Sequence, residues 1–231
     1  LELRSSGAIR LASLLFDGVF SVNLSLRAWA IRCLFVKPDR VAFLPNYADL
    51  GEHFRASWHV GRMKDHCILC LANLRPQKDH TTLLRAFALV KTDYKDAKLY
   101  LVGRDWQDVY SQSLRELVSQ LKIKDVYFMG EQADVVPFLN TASVAVLSSF
   151  SEGLPISLLE YSLAGLPVIC TDVGHCGMVL KDGEAGWLVP ARDANALSTA
   201  IIDAFSDPVM AQKRANLLYE NTKEQFSPSA A

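Results

Sequence analysis

The chain has 231 residues, half of them hydrophobic, with 24 basic and 25 acidic side chains that leave a formal charge of −1. That is enough apolar material for one large or two small domains and argues against disorder. The balanced charge lacks the basic stripe of a nucleic-acid binder, no apolar run approaches the ~18 residues that a membrane span needs, and no secretory pattern opens the chain.

Leu1 stands where a natural start would have Met, so the sequence reads as a fragment or a truncated reading frame. Five cysteines (Cys33, Cys67, Cys70, Cys170 and Cys176) without a secretory signal suit a reducing compartment and free thiols. Cys67 and Cys70 have metal-like spacing, with His66, His175 and Cys176 as conceivable partners. Residues three apart on a strand face opposite sides, however, so the better reading is small buried hydrophobes and no metal.

Residues 1–40 differ from the rest. Phe16 to Val22 is a candidate strand, and Leu24 to Val36 reads as a helix with Arg27, Arg32 and Lys37 at polar positions. We read this stretch as the last α/β unit of a preceding domain; the alternative is a basic amphipathic helix touching anionic lipid. From residue 41 strands and helices alternate. Val41 to Pro45 is a short strand closed by the turn signal Pro45-Asn46-Tyr47. Cys67 to Ala72 is an apolar strand, and Thr81 to Val90 has helical spacing. Lys98 to Val102 is a strand, Ser113 to Leu121 a helix, Val126 to Met129 a strand, and Val135 to Leu139 a helical turn. Ala142 to Leu147 is a strand, Pro155 to Ala164 a helix, and Pro167 to Thr171 and Trp187 to Val189 are strands. Ala194 to Phe205 and Met210 to Gln225 are helices, and Ser227 to Ala231 reads as a frayed end. This alternation predicts an α/β fold, a parallel sheet with helices on both faces.

Chemistry concentrates after two strands. Ser151 to Glu160 runs Ser-Glu-Gly-Leu-Pro-Ile-Ser-Leu-Leu-Glu directly after the strand that ends at Leu147. Strand, tight turn, proline and helix place free N–H groups and a positive helix end at the mouth of the sheet, where phosphate binds. Gly153 would let the backbone approach a ligand and take positive φ, and Pro155 fits a first helical turn. Glu152 and Glu160 are unsuited to phosphate but suited to the hydroxyls of a sugar and a ribose; the plainer alternative is a helix-end charge and a solvated residue. The second site is Asn73-Leu-Arg-Pro-Gln-Lys78, after the strand that ends at Ala72. That is the carboxyl end, where open α/β sheets bind ligands. Arg75 and Lys78 would bring positive charge to phosphates, or simply solvate a loop.

Taken together these segments resemble the donor-binding half of the family 4, or group 1, retaining glycosyltransferases. The resemblance is carried by Phe43 to Asp49, Leu71 to Lys78, Tyr100 to Gly103, Val126 to Gly130, Glu152 to Glu160, and Gly165 to Asp172 continuing through Gly183 to Pro190. It covers about Val41 to Phe226, and the last two blocks in that order are the specific ones. It implies a Rossmann-like carboxy-terminal domain of the two-domain GT-B type over residues 41–231, with 1–40 a remnant of the amino-terminal acceptor-side domain. By the same resemblance Glu152 contacts the transferred sugar, Glu160 holds the ribose, and Gly153 and Leu154 bring amides to sugar and phosphate. Lys78 neutralises the diphosphate, and Met129 and Gly130 flank the base. Asn73 stands where the family often has a basic residue, a role Arg75 could take over. His175 and Met178 replace a glycine and a glutamate that the family commonly has after the Thr171-Asp172 strand end. His175 is then either a donor contact or a plain loop residue.

The expected reaction is retaining hexosyl transfer from a UDP- or GDP-sugar, a co-substrate rather than a cofactor, to a saccharide or lipid-linked acceptor. Polysaccharide biosynthesis is the implied setting. Lys78, Arg75 and the helix end would stabilise charge on the departing β-phosphate. No Asp-x-Asp pair is present, in keeping with a reaction that needs no metal. Acceptor contacts would come from a missing amino-terminal domain or a partner chain, so the fragment alone is expected to be inactive. The expected setting is cytoplasmic, with peripheral contact at the inner membrane face left open. The rival readings are a non-catalytic nucleotide-sugar-binding subunit, a nucleotide-sugar epimerase and a generic α/β domain whose motifs are coincidental.

Overall fold

The computed structural model describes residues 16–21, 24–43, 48 and 60–226. The turn Pro45-Asn46-Tyr47 and the end Ser227 to Ala231 lie outside them.

The first described unit is small. Strand β1 (Val19–Ser21) and strand β2 (Val41–Phe43) pair in parallel with Val19 opposite Val41, and helix α1 (Leu24–Cys33) crosses between them. Ala30, Leu34 and Val41 form its core, and the Arg27 Nε donates to the Val41 carbonyl at 3.2 Å. The expected helix end at Val36 moves back to Cys33, because Phe35 takes a left-handed φ of 57° that no α-helix continues. Phe20 and Phe35 are each 73% exposed, too much apolar surface for so small a core to cover.

The main body is a six-stranded parallel sheet. Its central strand β3 (Cys67–Leu71) is buried at every position, as a run of apolar residues covered on both faces should be. The chain continues through helix α2 (His80–Asp93), strand β4 (Lys98–Val102), helix α3 (Val109–Gln120) and strand β5 (Val126–Gly130). After the one-turn helix α4 (Val136–Thr141) come strand β6 (Val144–Leu147), helix α5 (Ile156–Leu163) and strand β7 (Val168–Thr171). The short helix α6 (Cys176–Val179), strand β8 (Trp187–Val189) and helices α7 (Ala194–Ser206) and α8 (Pro208–Gln225) complete it.

The strand order is β5-β4-β3-β6-β7-β8. The chain therefore winds outward from β3 in one direction and from β6 in the other. Right-handed crossovers then put α2 and α3 on one face and α5 on the opposite face. Adjacent crossovers diverge between β3 and β6, and that divergence opens a crevice at the carboxyl ends of the strands.

Local chemistry sets the boundaries. Asp79, Asp108, Asp193 and Asp207 cap α2, α3, α7 and α8, each carboxylate accepting a first-turn N–H. Helix α5 closes with Gly165 at φ 68°, where a glycine avoids the left-handed penalty. The last helix is tied back onto the sheet's cover: the Ser162 hydroxyl donates to the Leu218 carbonyl at 3.0 Å, and the Asn221 amide donates to the Val179 carbonyl at 2.9 Å.

Candidate functional site

The loops after β3 and β6 are stapled together at the crevice. After β3 the chain makes a one-turn helix, Pro76–Lys78, beneath Arg75. Its carbonyls then take donors from the other loop: Phe150 N–H to Gln77 at 3.0 Å and Ser148 Oγ to Lys78 at 2.9 Å. This fixes the backbone of Lys78 opposite the turn that carries Glu152. The Lys78 Nζ donates to Glu152 Oε1 at 2.5 Å, and the Ser149 Oγ donates to the same oxygen at 2.6 Å. The lysine and glutamate side chains are only 22% and 10% exposed, so water screens the pair weakly.

The cleft beside this pair has a volume of about 470 Å³. Lys78, Asn73, Glu152, Leu154 and Glu160 all line it, as do Glu131 and Gln132 from the end of β5. Helix α5 begins after Pro155 with no side-chain cap; the Leu158 N–H donates to the Pro155 carbonyl at 3.2 Å, and the Ile156 and Ser157 amides are left for a ligand. Ile156 and Ser157 carry that turn into the cleft. Glu160 lies further along the same helix. Burial alone pushes its carboxyl above the usual carboxylate range. Among the described residues no protein group donates a hydrogen bond to it, so a half-buried acceptor faces a cleft that can supply donors.

Two further contacts hold the walls in place. The Leu71 N–H, at the end of β3, donates to the phenol oxygen of fully buried Tyr161 at 2.5 Å, joining the strand to α5. The β7–α6 connection supports the Glu152 turn from behind: His175 N–H donates to the Gly153 carbonyl at 3.0 Å. A Cβ on Gly174 would lie 2.3 Å from the Glu152 carbonyl oxygen, and Gly174 itself has φ 58°. Positive φ therefore falls on Gly174 and not on Gly153, where the sequence suggested it; the close approach between the two loops demands the glycine.

Other expected residues stand elsewhere. Arg75 does not line the cleft; its guanidinium lies 4.5 Å from the ring centroid of Trp106. The single helical turn Pro76–Lys78 follows Arg75, which is exposed while Lys78 lines the cleft. Asn73 reaches the cleft, but its Oδ1 accepts the Arg104 N–H at 2.8 Å and braces the end of β4. Met129 and Gly130 do not line it, since the Gly130 carbonyl is still engaged by the Gly103 N–H at 2.9 Å. Glu131 and Gln132, just beyond the ladder, take that place. His175 presents its backbone to the Gly153 turn and keeps Nδ1 buried. Cys67 and Cys70 sit inside β3, and burial pushes the Cys70 thiol up to about 12, which leaves it a protonated, apolar filler. Among the described residues no three His, Cys, Asp or Glu side chains are grouped to hold a metal ion, and no helix is long and apolar enough to cross a membrane. Ser149 was missed because a serine in a Ser-rich loop gives no signal of its own.

A family model described as Glycosyl transferases group 1 matches residues 57–225. The N-acetyl-alpha-D-glucosaminyl L-malate synthase of Bacillus anthracis is 31% identical over 189 residues, covering 81% of this chain and 47% of that protein. The GDP-Man:Man(3)GlcNAc(2)-PP-Dol alpha-1,2-mannosyltransferase of Neurospora crassa is 32% identical over 150 residues, 60% of this chain and 27% of that one. The chain thus spans about half the length, or less, of these relatives. Among solved structures, Anabaena Alr3699/HepE in complex with UDP superposes with a TM-score of 0.84 at 18% identity, covering 98% of this chain and 65% of that one. At that identity the likeness is one of fold.

Proposed function

This chain belongs to the glycosyl transferases group 1 family, and from that premise we propose that it is the donor-binding part of a retaining glycosyltransferase that uses a UDP- or GDP-sugar. The observation that carries this reading is the convergence of Lys78, Glu152 and Glu160 on one cleft where the sheet's winding reverses. A diphosphate fits the Lys78 ammonium and the uncapped start of α5. Glu160, a carboxylate without a protein donor, suits the paired hydroxyls of a ribose. Glu152, beside the diphosphate position, suits a hydroxyl of the sugar. The Neurospora crassa relative has GDP-Man in its name, and the Anabaena structure is a complex with UDP, both in keeping with the reading.

In this mechanism the bond between the anomeric carbon and the β-phosphate oxygen breaks as the acceptor hydroxyl attacks from the leaving-group face, forming the new bond to the anomeric carbon and passing its proton to the departing phosphate oxygen. Negative charge grows on the departing phosphate, and Lys78 and the α5 amides offset it, each such contact being worth about 3 kcal/mol in a transition state. Arg75, seated on Trp106, is left out of this role. The acceptor, a saccharide or a lipid-linked saccharide, would be bound by an amino-terminal domain or partner chain, with the first unit as the remnant of that half and the six-stranded sheet with its helices as the donor domain; because β2 pairs with β1, the boundary expected at residue 40 moves past Phe43. We place the reaction in the cytoplasm, in polysaccharide biosynthesis.

Isothermal titration of the chain with UDP, GDP and ADP tests the proposal. One of them should bind, and Glu160→Ala should weaken it by about tenfold, the loss of one charge-assisted hydrogen-bonded contact. A folded sample that binds none of the three refutes the nucleotide reading; an unchanged affinity in Glu160→Ala removes the ribose role.

A further inference from the structure

Among the described residues Glu152 has two side-chain partners, and both bind one oxygen. Lys78 Nζ and Ser149 Oγ converge on Oε1, at 2.5 and 2.6 Å. The two contacts differ in permanence. Lys78 is a flexible ammonium on the wall of a cleft built for anions, and an incoming diphosphate, with more charge than one carboxylate, competes for it. Ser149 cannot be drawn away. Its side chain is fully buried, and its own carbonyl accepts the Thr171 Oγ1 at 2.6 Å. The flanking residues Ser148 and Phe150 are bonded to the carbonyls of Lys78 and Gln77. Ser149 is thus clamped from β7 on one side and from the β3 loop on the other.

We propose that Ser149 is a positioning residue: when the donor diphosphate takes Lys78 away from Glu152, the Ser149 hydroxyl is the bond that keeps the Glu152 carboxylate aimed at the sugar. Glu152 then passes from counterion of Lys78 to sugar acceptor without swinging. The buttress behind the turn, from the His175 amide to the Gly153 carbonyl, holds the backbone through the same exchange but leaves the carboxylate's own torsions free. This inference rests on the nucleotide-sugar reading and extends it to a residue that itself need not touch the ligand.

The test compares binding of free nucleotide with binding of its sugar conjugate, by titration of the chain with UDP, UDP-glucose, UDP-N-acetylglucosamine, GDP and GDP-mannose. Ser149→Ala should leave the free nucleotide's Kd within twofold of wild type. The affinity of the preferred conjugate relative to its nucleotide should fall by fivefold or more. Glu152→Ala should lower that same ratio, and the double variant should lower it no further, because both substitutions remove one contact. The proposal is overturned if Ser149→Ala weakens nucleotide and conjugate equally, if the ratio does not change, or if the two losses add. Failure of every nucleotide to bind the wild-type chain is a different result, since it removes the donor site itself.

Discussion

Replacing Glu152 by glutamine makes a prediction that runs against the usual expectation for a site residue: free nucleoside diphosphate should bind more tightly. Lys78 is held by Glu152 at 2.5 Å, with both side chains largely shielded from water. A diphosphate must take the ammonium from that carboxylate and then sit beside the carboxylate's remaining charge. Two unit charges ~4 Å apart at an effective dielectric of about 20 interact by about 4 kcal/mol. Most of that is offset by the cost of desolvating the pair, so a net gain of about 1.4 kcal/mol, or tenfold in Kd, is the magnitude to look for. Glutamine keeps the shape and can still accept from Ser149. Titration of UDP or GDP into wild type and Glu152→Gln reads the effect directly, and the gain should shrink with added salt as the electrostatic contribution is screened. Sugar transfer, measured as nucleotide released once the amino-terminal half or partner chain and an acceptor are supplied, should meanwhile fall by about hundredfold, as for loss of one transition-state contact. Unchanged or weaker nucleotide binding in the variant would refute the claim that Glu152 and the phosphate compete for one lysine.

The remaining expectations concern the frame of the cleft. Glu160→Gln should raise the melting temperature at neutral pH by roughly 2 °C, the scale of ~1 kcal/mol in a chain this long. The sign follows from burial: a carboxyl raised above 4.5 in the fold keeps a proton that the unfolded chain has lost, so wild type is penalised above that pH and recovers as pH falls through the raised value. Melting scans from pH 7 to pH 4 should therefore converge, and a constant gap between the two proteins would exclude this cause. Gly174→Ala forces a Cβ to 2.3 Å from the Glu152 carbonyl oxygen in left-handed backbone, costing at least about 1–2 kcal/mol; urea denaturation with no change in midpoint would contradict the packing. Tyr161→Phe leaves the buried Leu71 N–H without its partner, at about 1–3 kcal/mol, and a denaturation difference near zero would show that the amide finds another acceptor.

Much of this architecture could be read in advance, for identifiable reasons. Strands β4 and β8 were predicted to the residue, since Lys98–Val102 and Trp187–Val189 are short apolar runs bounded by polar or glycine-containing turns. The helix α3 began four residues earlier than its apolar period suggested, at Val109, because Asp108 caps it and the exposed first turn has no periodic signal. The helix α6 escaped notice because a single turn has no period at all. That Lys78, Glu152 and Glu160 line one cleft was legible because their segments follow strand ends, and topology brings such ends together. That Arg75 lies against Trp106 was not, since a few residues' step around a tight turn decides whether a cation faces the cleft or the ring. Gly153 lost its supposed positive φ to Gly174 because the close approach is between two loops far apart in sequence, and a local motif does not record it.

The Tyr161 phenol has a consequence for how this protein receives a ligand. It reaches from α5 to the backbone at the end of β3 and lies wholly inside the apolar interior, so the spacing of that strand end and that helix is bridged by the length of an aromatic ring. A molecule arriving here meets a gauge of fixed width, and whatever adapts to it must be side-chain tips, not the helix that carries them.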